Sequence, residues 1–320
     1  MTPSLQIERR PLGATPLTIP RVALGCGNFG GIGSAPAFFG HGLNEDDAFS
    51  LMDAAWELGI THFDTADAYG GGRSETMIGH WIESRGVVPQ LTTKTYNPMN
   101  EGADHGLGAH RIERQLRSSL ERLRVERVDL YLAHEFDPDV PLEETLGVFA
   151  QARQKRRIAA YGVSNFHAAE LVAALKAGAP AAIQNSHSLL DRHDETDVLP
   201  ICAAQRVAYC AFSPLAGGWL TGKYRRGEPF PPGSRMTQRP EPYEPLVADT
   251  TYDGLEALEA RANARGISLA GLALAWLLAD DRVTQVVLGP GRPEHLTPVR
   301  EALENPLSPA ERAELTKAFR

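Results

Sequence analysis

Asp64, Tyr69, Lys94 and His134 are the residues of this chain whose types suit proton transfer at a polar bond. They supply a carboxylate, a phenol, an ammonium and an imidazole. A cation beside a phenol favours the phenolate and lowers its pKa toward neutrality, while a carboxylate beside the cation keeps it charged and aimed. A general acid works best when its pKa lies near the operating pH. Such a set can protonate a developing alkoxide, with His134 hydrogen-bonding a carbonyl oxygen and fixing its direction. Each of the four stands at or just past the end of a run that reads as a buried strand. The strands are therefore the elements that must position them.

Eight β-rich runs are each followed by a helical pattern: Val22–Leu24, Thr61–Phe63, Leu91–Thr95, Val128–Ala133, Ile158–Val163, Ala182–Gln184, Val207–Phe212 and Val283–Leu288. Most are apolar almost throughout, as parallel strands covered on both faces are. The βα alternation predicts an α/β chain, a (β/α)8 TIM barrel, preceded by an N-terminal β-hairpin over about residues 5–19. Asn44 followed by Glu45, Asp46 and Asp47 predicts a capped helix start, with Gly59 placed to end that helix. Ile112, Leu116, Ser119, Leu120 and Leu123 trace a second helical face, and Leu269, Leu272, Ala273, Trp276 and Leu277 a third. A proline-rich stretch from Tyr224 to Asp249 lacks periodicity and reads as a long functional loop. No linker interrupts the rest, so residues 1–320 are expected to form one domain.

With 42% hydrophobic and 22% charged residues, the chain can bury a large core and keep a soluble surface. A formal net charge of −8 argues against nucleic acid as the main partner, because phosphate backbones need a basic face. Cys26, Cys202 and Cys210 include no Cys-x-x-Cys pair and suit a reducing compartment. No apolar run is long enough for a membrane span, and Met1 to Arg10 lacks a signal-peptide core. The expectation is a cytoplasmic protein with no membrane partner. His62-x-Asp64 superficially offers metal ligands, yet no further His pair completes a site, and no metal is expected. His187 reads as solvated.

The chain resembles the aldo-keto reductase family, and its branch that includes the voltage-gated potassium channel β subunits. The resemblance runs from about Leu12 to Leu303. It rests on Gly25-Cys26-Gly27, Phe63-Asp64-Thr65-Ala66, Tyr69-Gly70, Thr93-Lys94, His134 with Asp137, Gly162-Val163-Ser164-Asn165, Gln184-Asn185 and Ser213-Pro214-Leu215-Ala216-Gly217-Gly218. It implies an NADP(H)-dependent oxidoreductase that reduces an aldehyde, ketone or sugar carbonyl. Tyr69 would be the general acid, tuned by Lys94 and Asp64, with His134 orienting the substrate. Ser164, Asn165 and Gln184 would hold the nicotinamide carboxamide, and Phe212 would stack on the ring. Ser213, Leu215 and Gly217 would line the pyrophosphate. Lys223 and Ser234-Arg235 would fold over the cofactor, and Lys223, Arg235 and Arg292 would neutralise the extra phosphate of NADPH. The implied cofactor set also includes Gly27, Asn28, Phe29, Asp64, Pro214, Gly289, Gly291 and His295.

The chain departs from the family pattern at Leu288-Gly289-Pro290-Gly291 and then His295, Pro298 and Val299, where an adenine-binding Glu-Asn pair is absent. That keeps NAD possible as cofactor, in an NAD-linked dehydrogenase of an aldose or polyol. A nicotinamide-sensing regulatory barrel is the rival from another class. The partner expected in the catalytic readings is a small carbonyl or alcohol. Phe29, Phe38, Phe39, Tyr96, Met99 and Trp219 are expected to wall an apolar substrate pocket. The oligomeric state is left open.

Overall fold

The computed structural model describes residues 5–319. A short antiparallel hairpin, β1 (Arg9–Pro11) and β2 (Thr18–Pro20), precedes the main sheet. Eight parallel strands follow: β3 (Val22–Gly25), β4 (His62–Asp64), β5 (Gln90–Thr95), β6 (Val128–Ala133), β7 (Ile158–Ser164), β8 (Ala182–Ser186), β9 (Ala208–Phe212) and β10 (Val283–Leu288). They close in sequence order, with β10 pairing back onto β3, so the sheet has no free edge. This is the expected (β/α)8 barrel with its hairpin.

Alternation along the strands sorts side chains into two cores. Ala23, Leu130, Leu132, Ala160, Ala182, Ala208, Cys210 and Val287 pack together inside the barrel, and Leu12 and Ile19 of the hairpin join them. The other face of each strand packs against the surrounding helices in a larger cluster that includes Phe63, Tyr131, Val163, Ile183 and Tyr209. The small interior side chains leave room for the hairpin's two apolar side chains to plug the barrel from below.

The helix signals act as the sequence predicts. Asn44 accepts a hydrogen bond from the Asp47 amide at 2.9 Å and caps the helix Glu45–Leu58. Gly59 ends it with φ 107°, a conformation that costs a side-chain-bearing residue energy. Helices Ala109–Leu123 and Leu269–Leu278 bury the predicted faces, although Leu120 is only partly covered. The stretch from Tyr224 contains a short helix, Arg235–Gln238, before the helix Asp249–Ala264 begins. Arg226 ties its start to Asp249, Asp253 and Glu256, and Tyr224 is buried against Trp219 and Phe230. Among the described residues, no helix is long and apolar enough to cross a membrane.

Candidate active site at the carboxyl end of the barrel

The inward positions at the carboxyl ends of the strands are Asp64 on β4, Lys94 on β5, Ser164 on β7, Gln184 on β8 and Phe212 on β9, with His134 one residue beyond β6. A lower inward layer is formed by His62, Thr92 and Gln285. His62 Nε2 lies 2.8 Å from Thr92 Oγ1, and Gln285 Nε2 donates to His62 Nδ1 at 2.9 Å. Burial, then the charges of Arg9 and Lys94, push the His62 imidazole down to about 3, so it is neutral packing inside the barrel. Register thus places His62 and Asp64 on one face, one layer apart.

The four chemical residues converge. Lys94 Nζ, fully buried, donates to Asp64 Oδ1 at 2.5 Å and to the Thr65 carbonyl at 2.8 Å. It stands 5.1 Å from the centre of the Tyr69 ring. Gln184 Nε2 donates to the second Asp64 oxygen at 2.7 Å. Tyr69 Oη is 3.5 Å from His134 Nε2, and the two rings meet edge-on. Tyr69 begins a turn in which Gly70, Gly71 and Gly72 all take positive φ. At Gly70 a Cβ would sit 2.7 Å from the Phe29 carbonyl, so the loop after β3 can close on Tyr69 only over glycine.

Electrostatics differ from the expected phenolate in one respect. Burial, the largest influence, drives the Tyr69 phenol above its ordinary value; Lys94 pulls it down without cancelling that. Low dielectric penalises the phenolate more than a single cation, already paired with Asp64, relieves it. Tyr69 therefore holds its proton at neutral pH. Burial pushes the Lys94 ammonium down, but Asp64 and Tyr69 outweigh it and hold Lys94 above its usual value, hence charged. Burial and then Lys94 push His134 well below the usual imidazole range, hence neutral.

Around this centre, Ser164 Oγ donates to the Gln184 carbonyl at 2.8 Å, and Asn165, at φ 58°, donates to the His134 carbonyl at 2.9 Å. Ser213 and Ala216 also take left-handed backbone, followed by Gly217, which does so without strain, so strained residues gather on the β7 and β9 rims, as at many ligand sites. Pro214 and Leu215 lie within that β9 rim. Gly27 lies against the Tyr69 ring, and the Asn28 amide donates to Pro290 O at 2.8 Å. The Phe39 ring and the Met99 carbonyl both lie where a Cβ on Gly71 would reach, 3.1 Å from it. Phe29 and Trp219 are fully buried, and Trp219 lies beneath Tyr224, Phe230 and Tyr252, so neither ring walls the mouth. His187 is buried between Tyr209 and Trp276 instead of solvated, because the β8–β9 pairing draws its backbone onto Phe212.

A cationic group forms a second centre. Burial, then Arg235, pushes Lys223 down, and burial, with the charge of Arg239, pushes Arg235 down. Neither has a carboxylate partner among the described ion pairs. Arg292 Nε lies 3.0 Å from His295 Nε2, and Gly291 N lies 3.2 Å from the other ring nitrogen. Burial, Arg292 and Lys223 push His295 below its usual value. Gly289 stands beside the Gly25 carbonyl, where β10 meets β3. The Tyr243 ring lies on Gly217, where a Cβ would come within 2.4 Å of it, so the Tyr224–Asp249 stretch closes over the β9 rim.

Two residues near the centre carried no sequence signal. Asn97 Nδ2 lies 3.3 Å from His134 Nδ1. Glu135 accepts from Asn165 at 3.1 Å, and burial raises its carboxyl to about 7. A polar residue just past a strand is ordinary in any barrel, and only the folded loops bring these two against His134 and Asn165.

A family model described as the Aldo/keto reductase family matches residues 21–320. L-glyceraldehyde 3-phosphate reductase of Escherichia coli (strain K12) is 32% identical over 318 residues, covering 94% of this chain and 88% of that protein. A putative voltage-gated potassium channel subunit beta of Schizosaccharomyces pombe is 32% identical over 285 residues, covering 82% of this chain and 80% of that protein. The solved structure of a glycerol dehydrogenase from Gluconobacter oxydans superposes with TM-score 0.82 at 26% identity, covering 97% of this chain and 94% of that one. With the barrel, the matched span and these relatives in agreement, the chain belongs to the aldo/keto reductase family.

Proposed function

We propose that the protein is an NADP(H)-dependent oxidoreductase that reduces aldehydes, ketones or sugar carbonyls, with Tyr69 as general acid. The observation that carries this reading is the pairing of a protonated Tyr69 with His134 Nε2, 3.5 Å apart, above the buried Lys94–Asp64 ion pair. Two polar groups converge where one substrate oxygen would lie. A neutral His134 can donate to a carbonyl oxygen and aim it, and Tyr69 can deliver its proton as that oxygen becomes an alkoxide. Lys94 then stabilises the phenolate left behind, while Asp64 keeps Lys94 charged.

The residues fit a dinucleotide phosphate. Ser234 Oγ is buried without a hydrogen-bond partner, next in sequence to Arg235. A hydroxyl with the unpaired Lys223 and Arg235 is a donor set suited to a phosphate dianion. Asn28 Oδ1 is likewise buried and unpartnered on the opposite rim. When bound, the nicotinamide supplies the hydride. Ser164, Asn165, Gln184 and Phe212 would hold its ring end, and Gly27, Asn28, Phe29, Asp64, Ser213, Pro214, Leu215 and Gly217 would border it. Lys223, Arg235, Gly289, Gly291, Arg292 and His295 would hold the phosphate end.

A second reading, an NAD-linked polyol or aldose dehydrogenase, has one observation in its favour. Arg292 is directed to His295 and lies 3.8 Å from Glu294, so one of the three cations is not free for a phosphate. Purified protein with NADPH or NADH and a panel of aldehydes and aldoses separates the readings. Oxidation of NADPH on adding an aldehyde is the expected outcome, and Tyr69→Phe should lower that rate by about 10²–10⁴ with cofactor affinity nearly unchanged. Equal turnover in the variant would remove Tyr69 from the acid role.

A further inference from the structure

The gap between Tyr69 Oη and His134 Nε2 admits two arrangements of protons, and they have opposite consequences. If Nε2 carries the imidazole proton, it cannot accept from Tyr69, and both groups point hydrogens at a shared substrate oxygen. If the proton is on Nδ1, the bare Nε2 accepts the Tyr69 hydroxyl, and the acid's proton is spent inside the protein. Which arrangement holds is decided at the other side of the ring, by what Nδ1 meets.

Nδ1 meets Asn97, whose Nδ2 lies 3.3 Å away. An amide NH₂ has only hydrogens to offer, so this contact requires a lone pair on Nδ1 and leaves the ring proton on Nε2. The Asn97 backbone is held in turn. Its carbonyl accepts from Arg111 Nη2 at 2.6 Å, and Arg111 Nη1 donates to Thr95 Oγ1 at 2.9 Å and to Gly106 O at 3.0 Å. Thr95 Oγ1 donates to the buried Asp67 at 2.7 Å. The loop after β5 is thereby fastened to the strand that carries Lys94, and the amide cannot drift from the imidazole.

We propose that Asn97 is a positioning residue that holds His134 in the neutral tautomer with its proton on Nε2, leaving the Tyr69 hydroxyl free for substrate. The proposal rests on the oxidoreductase reading only for its kinetic consequence; the tautomer itself is a property of the protein alone.

The test is a long-range ¹H–¹⁵N correlation spectrum of histidine-labelled protein without cofactor, in the wild type and in Asn97→Ala and Asn97→Asp, with His134 assigned by its absence from His134→Gln. The wild type should show a protonated Nε2 and an unprotonated Nδ1. Asn97→Ala should populate both tautomers, and Asn97→Asp, which replaces the donor by an acceptor, should place a proton on Nδ1. Asn97→Ala should also lower kcat by about tenfold with little change in the KM for NADPH, as loss of an orienting group does. A wild-type proton on Nδ1, or a tautomer unmoved in both variants, overturns the proposal. The predicted tautomers in a wild type that reduces no carbonyl compound would uphold the role of Asn97 and sink the oxidoreductase reading instead.

Discussion

Gln184 and Asp64 meet across the interior of the barrel although they are 120 positions apart, the Gln184 amide donating to Asp64 Oδ2 at 2.7 Å. In the closed order of eight strands, β8 and β4 stand opposite one another, four places around the ring. Lys94, on the strand beside β4, takes the other carboxylate oxygen. The buried Asp64 is therefore satisfied from two sides, one charged and one neutral, and its direction is set by both.

Removing the neutral side should be felt in stability. Gln184→Leu leaves Asp64 Oδ2 buried without that donor, at a cost of about 1–3 kcal/mol. Urea denaturation of the variant checks it. An unchanged midpoint would mean that water or a neighbouring group replaces the amide without loss.

Removing the charged side should cost more. Lys94→Met leaves an uncompensated carboxylate in the barrel and is expected to destabilise by about 3–5 kcal/mol. Asp64→Asn together with Lys94→Met removes both charges and should recover most of that loss, while carbonyl reduction stays impaired in both proteins. Additive effects in the double-mutant cycle would show that the pair is not coupled.

Asp67 should make stability fall with rising pH. Its side chain is fully buried, one oxygen accepts from Thr95 and the other has no partner among the described residues. Burial, the largest cause, raises its carboxyl from 3.8 to about 7 against the Thr95 hydrogen bond. With the folded value above the unfolded one, the associated stability is whole below about pH 4 and is lost as pH rises through about 7. Asp67→Asn cannot ionise and should not lose it, so the variant should gain on the wild type between about pH 5 and 8. The gain should reach about 4 kcal/mol at most. Parallel pH curves for the two proteins would show that Asp67 does not titrate in that window.

The cationic centre should discriminate between the two nicotinamide cofactors. Lys223→Met and Arg235→Met are each expected to raise the NADPH dissociation constant about tenfold, the worth of a charged hydrogen bond, with NADH binding little changed. Titration of tryptophan fluorescence reads both constants. Equal weakening toward both cofactors would move these cations away from the extra phosphate and onto shared parts of the ligand.

The sequence by itself determined the architecture and the core of the candidate site. The βα rhythm predicted eight strands, and all eight are present and closed. Period-two alternation also places Asp64, Lys94, Ser164, Gln184 and Phe212 inward, because a strand's side chains must alternate once one residue's face is known. Local signals such as Asn44 and Gly59 were legible because capping depends on neighbours in the chain. The tertiary structure alone decided what depends on distance and dielectric. Burial outweighs Lys94 and keeps Tyr69 protonated, a balance that residue types do not reveal. Trp219 and Phe29 turn into the core, and His187 is enclosed by Tyr209 and Trp276, because packing assigns aromatic rings to the space available. The partners of His134 and Asp64, Asn97 and Gln184, became visible only when closure of the barrel brought loops and opposite strands within hydrogen-bond reach.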